Sequence, residues 1–296
     1  MKKQFSIIVL GGLFISLTSG IYRHDRPIEK YLTIANQEEF NCVGQVLNLV
    51  DHKWEANGSF VLIDSVTILS AAHCFEGDFK KDTIVEYQGK KIKTYISKGK
   101  YVRDVSAFRF MVMNNVLEAK SIIVHPNYLK NGSCDLAIIK LNKPLLGMQK
   151  LQLNHLPNEI KDTVIGVGYG VSGPANHAAL VNNYHVKIAG ENIIDSVGGS
   201  FYNGQGSILF ADVDCPDCTT ACNKLGDSMP LDLEYSIGAG DSGGPLFTYI
   251  DNKLTLVGIA CYAPKTISNL ITNGYYCELN GWTRIAIFAD WIMSNK

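Results

Sequence analysis

The chain has 296 residues, of which 46% are hydrophobic and 19% are charged, and its formal net charge is −1. This is the composition of an ordinary globular protein, long enough to bury a sizeable core. The near-zero net charge and the lack of a basic run in the sequence give no indication of nucleic-acid binding.

The first 20 residues have the pattern of a signal peptide. Two lysines precede an apolar stretch over residues 5–17, and the small residues 18–20 suit cleavage. A membrane anchor is the alternative, but the apolar stretch is short for one and no second hydrophobic span follows it. The leader is bacterial in style. We therefore expect a secreted or periplasmic mature chain over residues 21–296, with no membrane attachment after cleavage.

Short strands are predicted along most of the mature chain. Residues 42–142 alternate β-branched and aromatic residues with turn signals, which is typical of an all-β barrel or sandwich. Residues 150–281 give a second set of short strands. Residues 284–294 then have the apolar spacing of a helix.

His73 and Asp135 are candidates for a catalytic base and the acid that supports it. His73 follows an apolar, β-rich run, and the small residues before it allow a tight turn beside the ring. Asp135 heads an apolar strand, where a buried carboxylate needs a partner such as an imidazole N–H. Taken alone, His73 is more simply interpreted as a structural histidine and Asp135 as a strand cap.

Eight cysteines, an even number in a chain with an export signal, favour disulfides. The cysteine-rich run at 215–222 could also be a metal cluster. It lacks a nearby histidine and a second CxxC pair, so disulfides are favoured over zinc or an iron–sulfur cluster. A bridge between Cys42 and Cys74 is one possible pairing. The cysteines are Cys42, Cys74, Cys134, Cys215, Cys218, Cys222, Cys261 and Cys277.

Residues 238–245, Gly-Ala-Gly-Asp-Ser-Gly-Gly-Pro, surround Ser242 with glycines. Glycines leave the hydroxyl unobstructed and allow positive φ angles, so that N–H groups can converge on one point as an oxyanion hole requires. A serine nucleophile also needs a base that is held by a third group. All seven histidines precede Ser242. This order excludes the Ser–acid–His arrangement of the α/β-hydrolases and leaves the order His73, Asp135, Ser242 open.

Residues 71–74, 135–138 and 240–245 resemble the three signature segments of the chymotrypsin/trypsin-like serine proteases. The resemblance covers roughly residues 42–296. It implies an all-β fold of two six-stranded antiparallel β-barrels, about 42–142 and 150–281, closed by a C-terminal helix. Further matches lie at residues 125–128, 167–170, 256–259 and 291–292.

The resemblance implies a secreted serine endopeptidase. Ser242 would attack a peptide carbonyl, His73 would transfer the proton, and Asp135 would orient His73. The N–H groups of Gly240 and Ser242 would hold the oxyanion. Neither a cofactor nor a metal is expected, and the partners would be polypeptide substrates and protein inhibitors. A catalytically inactive binding module on the same fold, or an esterase using the same site, are the alternatives.

The resemblance also assigns a substrate pocket by position. Ser236 would lie at its floor, where an aspartate selects Arg or Lys, and Cys261, Tyr262 and Ala263 would form one wall. This predicts a neutral pocket for an apolar or small polar side chain, with Ala263 disfavouring the bulkiest aromatic residues. Glu234 is the one nearby acid that could change this interpretation.

In the family, a freed N-terminal isoleucine pairs with the aspartate before the catalytic serine, here Asp241. Cleavage after Gly20 would expose Ile21. Activation by removal of the leader is therefore one hypothesis, and a ragged exported N-terminus without such a role is the other.

The family's cysteine pattern is only partly kept. Gly58 and Gly238 stand where the family has cysteines, so the resemblance implies that Cys277 pairs into the 215–222 cluster. Cys261 replaces a serine whose hydroxyl contacts the acid of the triad, which implies weaker support for Asp135.

Overall fold

The computed structural model describes residues 19–87, 90–175, 186–217, 224–226, 228–262 and 276–296. Most of these residues form β-strands. The helices found among them are α1 (Ile28–Ala35), α2 (Pro126–Asn131) and α3 (Ile285–Asn295). The strands are β1 (Ser19–Tyr22), β2 (Val43–Val50), β3 (Lys53–Leu62), β4 (Thr67–Ser70), β5 (Glu76–Tyr87), β6 (Lys90–Val102), β7 (Phe108–Val112), β8 (Asn115–Leu117), β9 (Ala119–Val124), β10 (Ala137–Leu141), β11 (Gln152–Leu153), β12 (Thr163–Gly168), β13 (Val171–Pro174), β14 (Ile188–Ile193), β15 (Ser196–Tyr202), β16 (Gln205–Ala211), β17 (Tyr235–Ser236), β18 (Pro245–Ile250), β19 (Lys253–Tyr262) and β20 (Asn280–Arg284).

The first half of the chain forms a seven-stranded antiparallel sheet in the order β8-β7-β2-β3-β4-β10-β9. In β7, Phe108, Phe110 and Val112 are buried and the residues between them are partly exposed, as the two-residue repeat of a strand requires. Edge-on contacts join Phe75 to Phe108 and Phe60 to Phe110, with ring centroids 5.0 and 5.7 Å apart. These rings fill the core of the first sheet.

The second half forms an eight-stranded sheet. Seven strands follow the order β14-β12-β18-β19-β20-β16-β15, and β11 adds to β19 in parallel. Its core is built around the fully buried Trp282, with Leu209, Leu246 and Val257 in the same cluster. Strand β1 lies between β13 and β17 in a smaller sheet, and β5 and β6 form a separate two-stranded hairpin.

The expected architecture, two six-stranded antiparallel β-barrels of the chymotrypsin type with a C-terminal helix, is confirmed. The strands at the two ends of each sheet order are consecutive in the chain: β8 and β9 are separated only by residue 118, and β14 and β15 only by residues 194–195. Counted as one bent strand, each of these pairs closes its sheet into a ring of six strands. Strand β8 folds back on β7 through a two-residue turn. Met113 and Asn114 in this turn have φ values of 45° and 61°, the geometry that favours tight hairpins.

The C-terminal helix α3 lies within one residue of its predicted bounds. It buries Ile285, Phe288, Ala289 and Ile292, the stripe that its spacing predicts. Helix α1 was not predicted; it buries Tyr31 and Ala35, which are four residues apart. Within the described segments, no helix is long and apolar enough to cross a membrane.

The bridge between Cys42 and Cys74, one of the possible pairings, is not formed, because both thiols are free. Their sulfur atoms point to different partners: Cys42 Sγ donates to the carbonyl of Glu39 and Cys74 Sγ to that of Ser242. Cys215 and Cys277 are both in disulfides. Cys218 and Cys222, the remaining members of the predicted cluster, lie outside the described residues.

A buried ion pair ties the end of β20 to the loop before β12. The guanidinium of Arg284 donates to both carboxylate oxygens of Glu159. Nη2 and Nε donate to Oε2 at 2.6 and 3.0 Å, and Nε also donates to Oε1 at 3.2 Å. The side chains are only 6% and 1% exposed. Asn154 donates to the same carboxylate at 3.0 Å. Breaking such a pair leaves an uncompensated buried charge.

We expect Arg284→Met to destabilise the protein by about 3–5 kcal/mol, because Glu159 stays buried without its cation. The measurement is the free energy of unfolding in urea. The double variant with Glu159→Leu removes both charges and should regain most of the loss. A double variant as unstable as the single one would show that packing, not the unpaired charge, sets the effect.

Candidate active site

His73 and Asp135 are in direct contact. His73 lies in a short 3-10 turn, Ala72–Phe75, directly after β4, and Asp135 lies two residues before β10, the neighbour of β4. The ring Nδ1 of His73 is 2.6 Å from Asp135 Oδ2, and the backbone N–H of His73 donates to Oδ1 at 2.9 Å. One carboxylate therefore fixes both the ring and the main chain of His73.

The electrostatics of this pair favour a protonated ring. Burial alone would favour neutral His73, but the negative charge of Asp135 and its hydrogen bond outweigh burial and raise the pKa of His73 above its ordinary value of 6.5. The side chains of His73 and Asp135 are 32% and 14% exposed, so the ring is still open to solvent. This is the arrangement that a general base with a stabilised cation needs.

Ser242 lies in a tight turn between β17 and β18. The N–H of Asp241 donates to the carbonyl of Gly238 at 3.0 Å, and the N–H of Gly244 donates to that of Asp241 at 2.7 Å. Gly240 has a φ of 91°, a value that side chains rarely tolerate. The turn places Ser242 three residues before Pro245, the first residue of β18.

Gly243 is required by a close approach to the first sheet. A Cβ atom on Gly243 would lie 2.0 Å from Ser70 Oγ and 2.4 Å from the carbonyl oxygen of Ser59, and its φ is 85°. The glycine therefore lets the Ser242 turn lie directly against β3 and β4, the strands that lead to His73.

Ser59, on β3, connects the turn to the first sheet. Its backbone N–H donates to the carbonyl of Ser242 at 2.8 Å, and its hydroxyl donates to the carbonyl of Gly240 at 2.8 Å. The same hydroxyl accepts from the N–H of Tyr169 at 2.9 Å. Ser59 thus holds the turn at two points, and the sequence analysis missed it because a lone serine in a strand carries no signal.

His73 follows strand β4 of the first sheet and Ser242 precedes strand β18 of the second, and the two segments are in contact. Cys74, the residue after His73, donates from Sγ to the carbonyl of Ser242 at 3.6 Å. Within the described parts of the chain, the Ser242 hydroxyl makes no hydrogen bond to His73. In free enzymes such bonds are often long and tighten when substrate binds.

Two backbone donors beside Ser242 are unused. Among the residues that the structure describes, the N–H groups of Gly240 and Ser242 donate to no other group. The carbonyls of the same two residues are both occupied by Ser59. The turn is therefore held through its acceptors, and its donors remain available for a substrate oxyanion.

A family model described as Trypsin matches residues 49–292. The chain belongs to the trypsin family. It is accordingly a serine endopeptidase. The described part of this trypsin-family chain holds no cluster of three or more His, Cys, Asp or Glu side chains that could bind a metal ion.

Several animal proteins are similar to this trypsin-family chain. It is 24% identical over 253 residues to serine protease SSP1 of Scolopendra subspinipes, which covers 82% of this chain and 74% of that protein. Identity to the venom peptide isomerase heavy chain of Agelenopsis aperta is 25%, covering 77% and 83%. Identity to transmembrane protease serine 11G of Mus musculus is 25%, covering 79% and 48%. These animal sources give no support to the bacterial origin that the leader suggested.

The fold of the trypsin-family chain matches a solved structure of neuropsin, a serine protease expressed in the limbic system of mouse brain. The TM-score is 0.53, with 18% identity, over 86% of this chain and 94% of that one. At this identity the likeness concerns the fold alone.

The predicted pocket floor of the trypsin-family chain is polar and uncharged. Ser236 is buried, and its hydroxyl donates to Asn280 Oδ1 at 2.8 Å. The N–H of Ile237 donates to the same oxygen at 2.8 Å. Asn280 Nδ2 is buried and has no hydrogen-bond partner among the described residues. Of the predicted wall, the Tyr262 side chain and Ala263 lie outside the described residues.

Glu234 is held away from this floor. Its carboxylate accepts from the N–H of Leu231 at 2.7 Å and from that of Asp214 at 3.4 Å. Burial raises the pKa of Glu234 to about 8, so the group is mostly neutral at pH 7. The wall residue Cys261 directs its thiol to the carbonyl of Gly281 at 3.5 Å.

Proposed function

We propose that this trypsin-family chain is a secreted endopeptidase that hydrolyses peptide bonds through His73, Asp135 and Ser242. The observation that carries the proposal is the two-point contact of Asp135 with His73, beside the turn that holds Ser242. Secretion rests on the leader pattern of residues 1–20.

In the proposed mechanism, Asp135 Oδ2 accepts the Nδ1–H of His73 and so leaves Nε2 free to accept a proton. Ser242 Oγ attacks the substrate carbonyl carbon while its proton moves to Nε2. The oxyanion that forms accepts from the N–H groups of Gly240 and Ser242. His73 then protonates the leaving amine, and water releases the acyl group from Ser242 by the same steps in reverse.

The experiment that tests this function combines labelling and turnover. An active-site-directed phosphonate should modify Ser242, located by peptide mapping, and the same preparation should cleave unmodified peptides. Cleavage must be measured directly, because one relative is described as a peptide isomerase heavy chain. Turnover of simple esters without peptides would favour the esterase alternative. Labelling elsewhere, or no labelling of a folded protein, would favour a binding module.

We propose further that the pocket selects an uncharged side chain before the scissile bond. Ser236 and Asn280 supply hydroxyl and amide groups and no charge. Glu234 is already bound by two backbone N–H groups, and Asp241 receives its hydrogen bonds from other residues. Among the residues that the structure describes at this floor, a buried guanidinium or ammonium would therefore find no counter-charge.

On matched peptides that differ only in the residue before the scissile bond, we expect kcat/KM for Leu or Gln to exceed that for Arg or Lys by roughly 10-fold or more. Ser236→Asp supplies a counter-charge and should raise turnover of Arg and Lys peptides. Glu234→Gln is the matched control and should leave the preference unchanged. Faster cleavage after Arg or Lys by the unmodified protein would refute the neutral pocket.

A further inference from the structure

A long hairpin follows His73 directly in the chain. Strands β5 and β6 pair along residues 76–87 and 90–102, and the hairpin begins three residues after His73. The N–H of Arg103 donates to the carbonyl of Phe75 at 2.9 Å and closes its base. At about 3.3 Å per residue, a strand as long as β6 extends over roughly 40 Å. The hairpin is therefore a large feature that starts beside the proposed catalytic base.

The base of the hairpin is fixed to helix α2. Lys100 Nζ of β6 lies 2.7 Å from Glu76 Oε2 of β5, and the hydroxyl of Tyr128 in α2 donates to the same carboxylate. Lys100 Nζ also donates to that hydroxyl at 3.3 Å. Helix α2 ends at Asn131, four residues before Asp135. The hairpin is thus anchored between the segments that carry two residues of the proposed triad.

Beyond this base the hairpin is open to solvent. The side chains of Ile84, Tyr95 and Ile96 are 59%, 51% and 49% exposed. Among the described residues, β5 and β6 pair with no strand other than each other. Each therefore has unpaired N–H and C=O groups along its outer side, as an edge strand does. Because a two-stranded hairpin is at best marginally stable in water, a third strand would stabilise it.

The two strands of the hairpin differ in charge. Strand β5 has four acidic residues and two lysines, whereas β6 has five lysines and no acidic residue. Among the lysines of β6 whose side chains the structure describes, Lys100 alone forms an ion pair, and Lys91, Lys93 and Lys98 are exposed. The outer edge of β6 therefore repels a basic strand and attracts an acidic one.

The side chains of β6 alternate between a charged face and an apolar face. Lys91 and Lys93 lie on one face, and Ile92 and Ile96 lie on the other, with Val85 of β5 opposite Ile92. A strand added at this edge would continue both faces, because its own side chains alternate in the same way. Acidic side chains beside the lysines and apolar ones beside the isoleucines would match β6. The partner with this chemistry is an extended segment in which acidic and apolar residues alternate.

We propose that the outer edge of β6 is a docking site for an extended segment of the polypeptide substrate in which acidic and apolar residues alternate. This inference rests on the proposed peptidase function. The base of the hairpin lies beside the segments of His73 and Asp135, so a substrate held on β6 keeps its scissile bond close to the site. The docked segment takes no part in the reaction and is bound equally before and in the transition state, so it lowers KM and leaves kcat unchanged.

A second copy of the chain fits this edge less well. Its β5 carries acidic residues, but it also carries Lys80 and Lys81. Pairing β6 of one copy with β5 of the next leaves a free β6 at the end of every assembly. Such a contact repeats without closing and builds filaments.

The test uses the full chain and peptides that share one scissile sequence. One peptide carries a Glu-Val-Glu-Val-Glu-Val extension on a flexible Gly/Ser linker. Two matched peptides carry Lys-Val-Lys-Val-Lys-Val or Glu-Glu-Glu-Val-Val-Val instead, and each extension is placed before and after the scissile sequence in separate peptides. On the side where the linker reaches β6, we expect KM for the alternating Glu-Val peptide to be roughly 10-fold below that for both others, at equal kcat. Higher salt should reduce the difference.

The double variant of Lys91→Gln and Lys93→Gln should remove most of this difference in KM, because it takes both charges from the lysine face of β6. The matched control is the double variant of Lys120→Gln and Lys143→Gln, which neutralises two exposed lysines outside the hairpin. It should keep the difference. Each comparison is made between peptides within one variant, so a change in the amount of folded protein does not affect it.

Equal KM values for the three peptides, or a difference that survives the double substitution at Lys91 and Lys93, would overturn the inference. Equal KM values together with filaments that the same substitutions dissolve would assign the edge to a second copy instead. Failure of the proposed function is recognised separately, because the unmodified protein would then cleave none of the peptides and Ser242 would not be labelled.

Discussion

Replacing Ser242 with alanine should lower kcat for peptide cleavage by about 10⁶-fold while the protein stays folded. The nucleophile is lost, but the contacts that hold the turn are made by the main chain. Ser59 donates to the Ser242 carbonyl, and so does the thiol of Cys74. Alanine keeps this carbonyl, so the thermal midpoint should not change. The measurements are kcat on a peptide substrate and the unfolding temperature of the same preparation.

Ser207→Ala is a suitable control, because Ser207 is buried and its hydroxyl has no partner among the described residues. It should keep full activity. The double variant of His73→Ala and Ser242→Ala should be no slower than Ser242→Ala alone, since the two side chains act as one unit. A double variant that is much slower than either single one would argue against a shared mechanism. Undiminished cleavage by a folded Ser242→Ala protein would show that Ser242 is not the nucleophile.

His73 and Asp135 could be assigned together from the sequence because their segments and that of Ser242 resemble the three signature segments of one family, in the same order. A histidine after small residues or an acid heading an apolar strand would not have been enough by itself. The glycines around Ser242 were equally informative, because positive φ values at Gly240 and Gly243 are a local requirement. The backbone conformation of a short turn can therefore be predicted from its residue types.

Contacts across the fold could not be predicted in this way. Ser59 and Gly240 are 181 residues apart, and nothing in the pattern of β3 marks that serine. Tyr235 is close to Asp241 in sequence, but their contact depends on space left by Gly166 and Gly190 on other strands. The free state of Cys42 and Cys74 could not be predicted either, since it depends on where two turns that are far apart in the sequence place their sulfur atoms.

Replacing Asp135 with asparagine should lower kcat/KM at neutral pH by about 10⁴-fold. The amide oxygen can still accept from the backbone N–H of His73, which leaves the NH₂ group facing Nδ1. Nδ1 must then accept a hydrogen bond, and the ring proton moves to Nε2. His73 can no longer take a proton from Ser242, although every residue of the site remains in place.

Asp135→Asn should also move the midpoint of the pH dependence of kcat/KM to lower pH. His73 acts as a base only when neutral, so kcat/KM falls as the pH drops through its pKa. Asp135 raises that pKa above 6.5, so the unmodified protein should lose activity with a midpoint above pH 6.5. Without the charge of Asp135, burial remains and lowers the pKa of His73, and the midpoint of the residual activity should move to lower pH. Asp104→Asn changes an exposed aspartate whose carboxylate, within the described segments, accepts hydrogen bonds only from Ser106, and it should leave the midpoint unchanged. An unshifted midpoint in Asp135→Asn would show that the charge of Asp135 does not control His73.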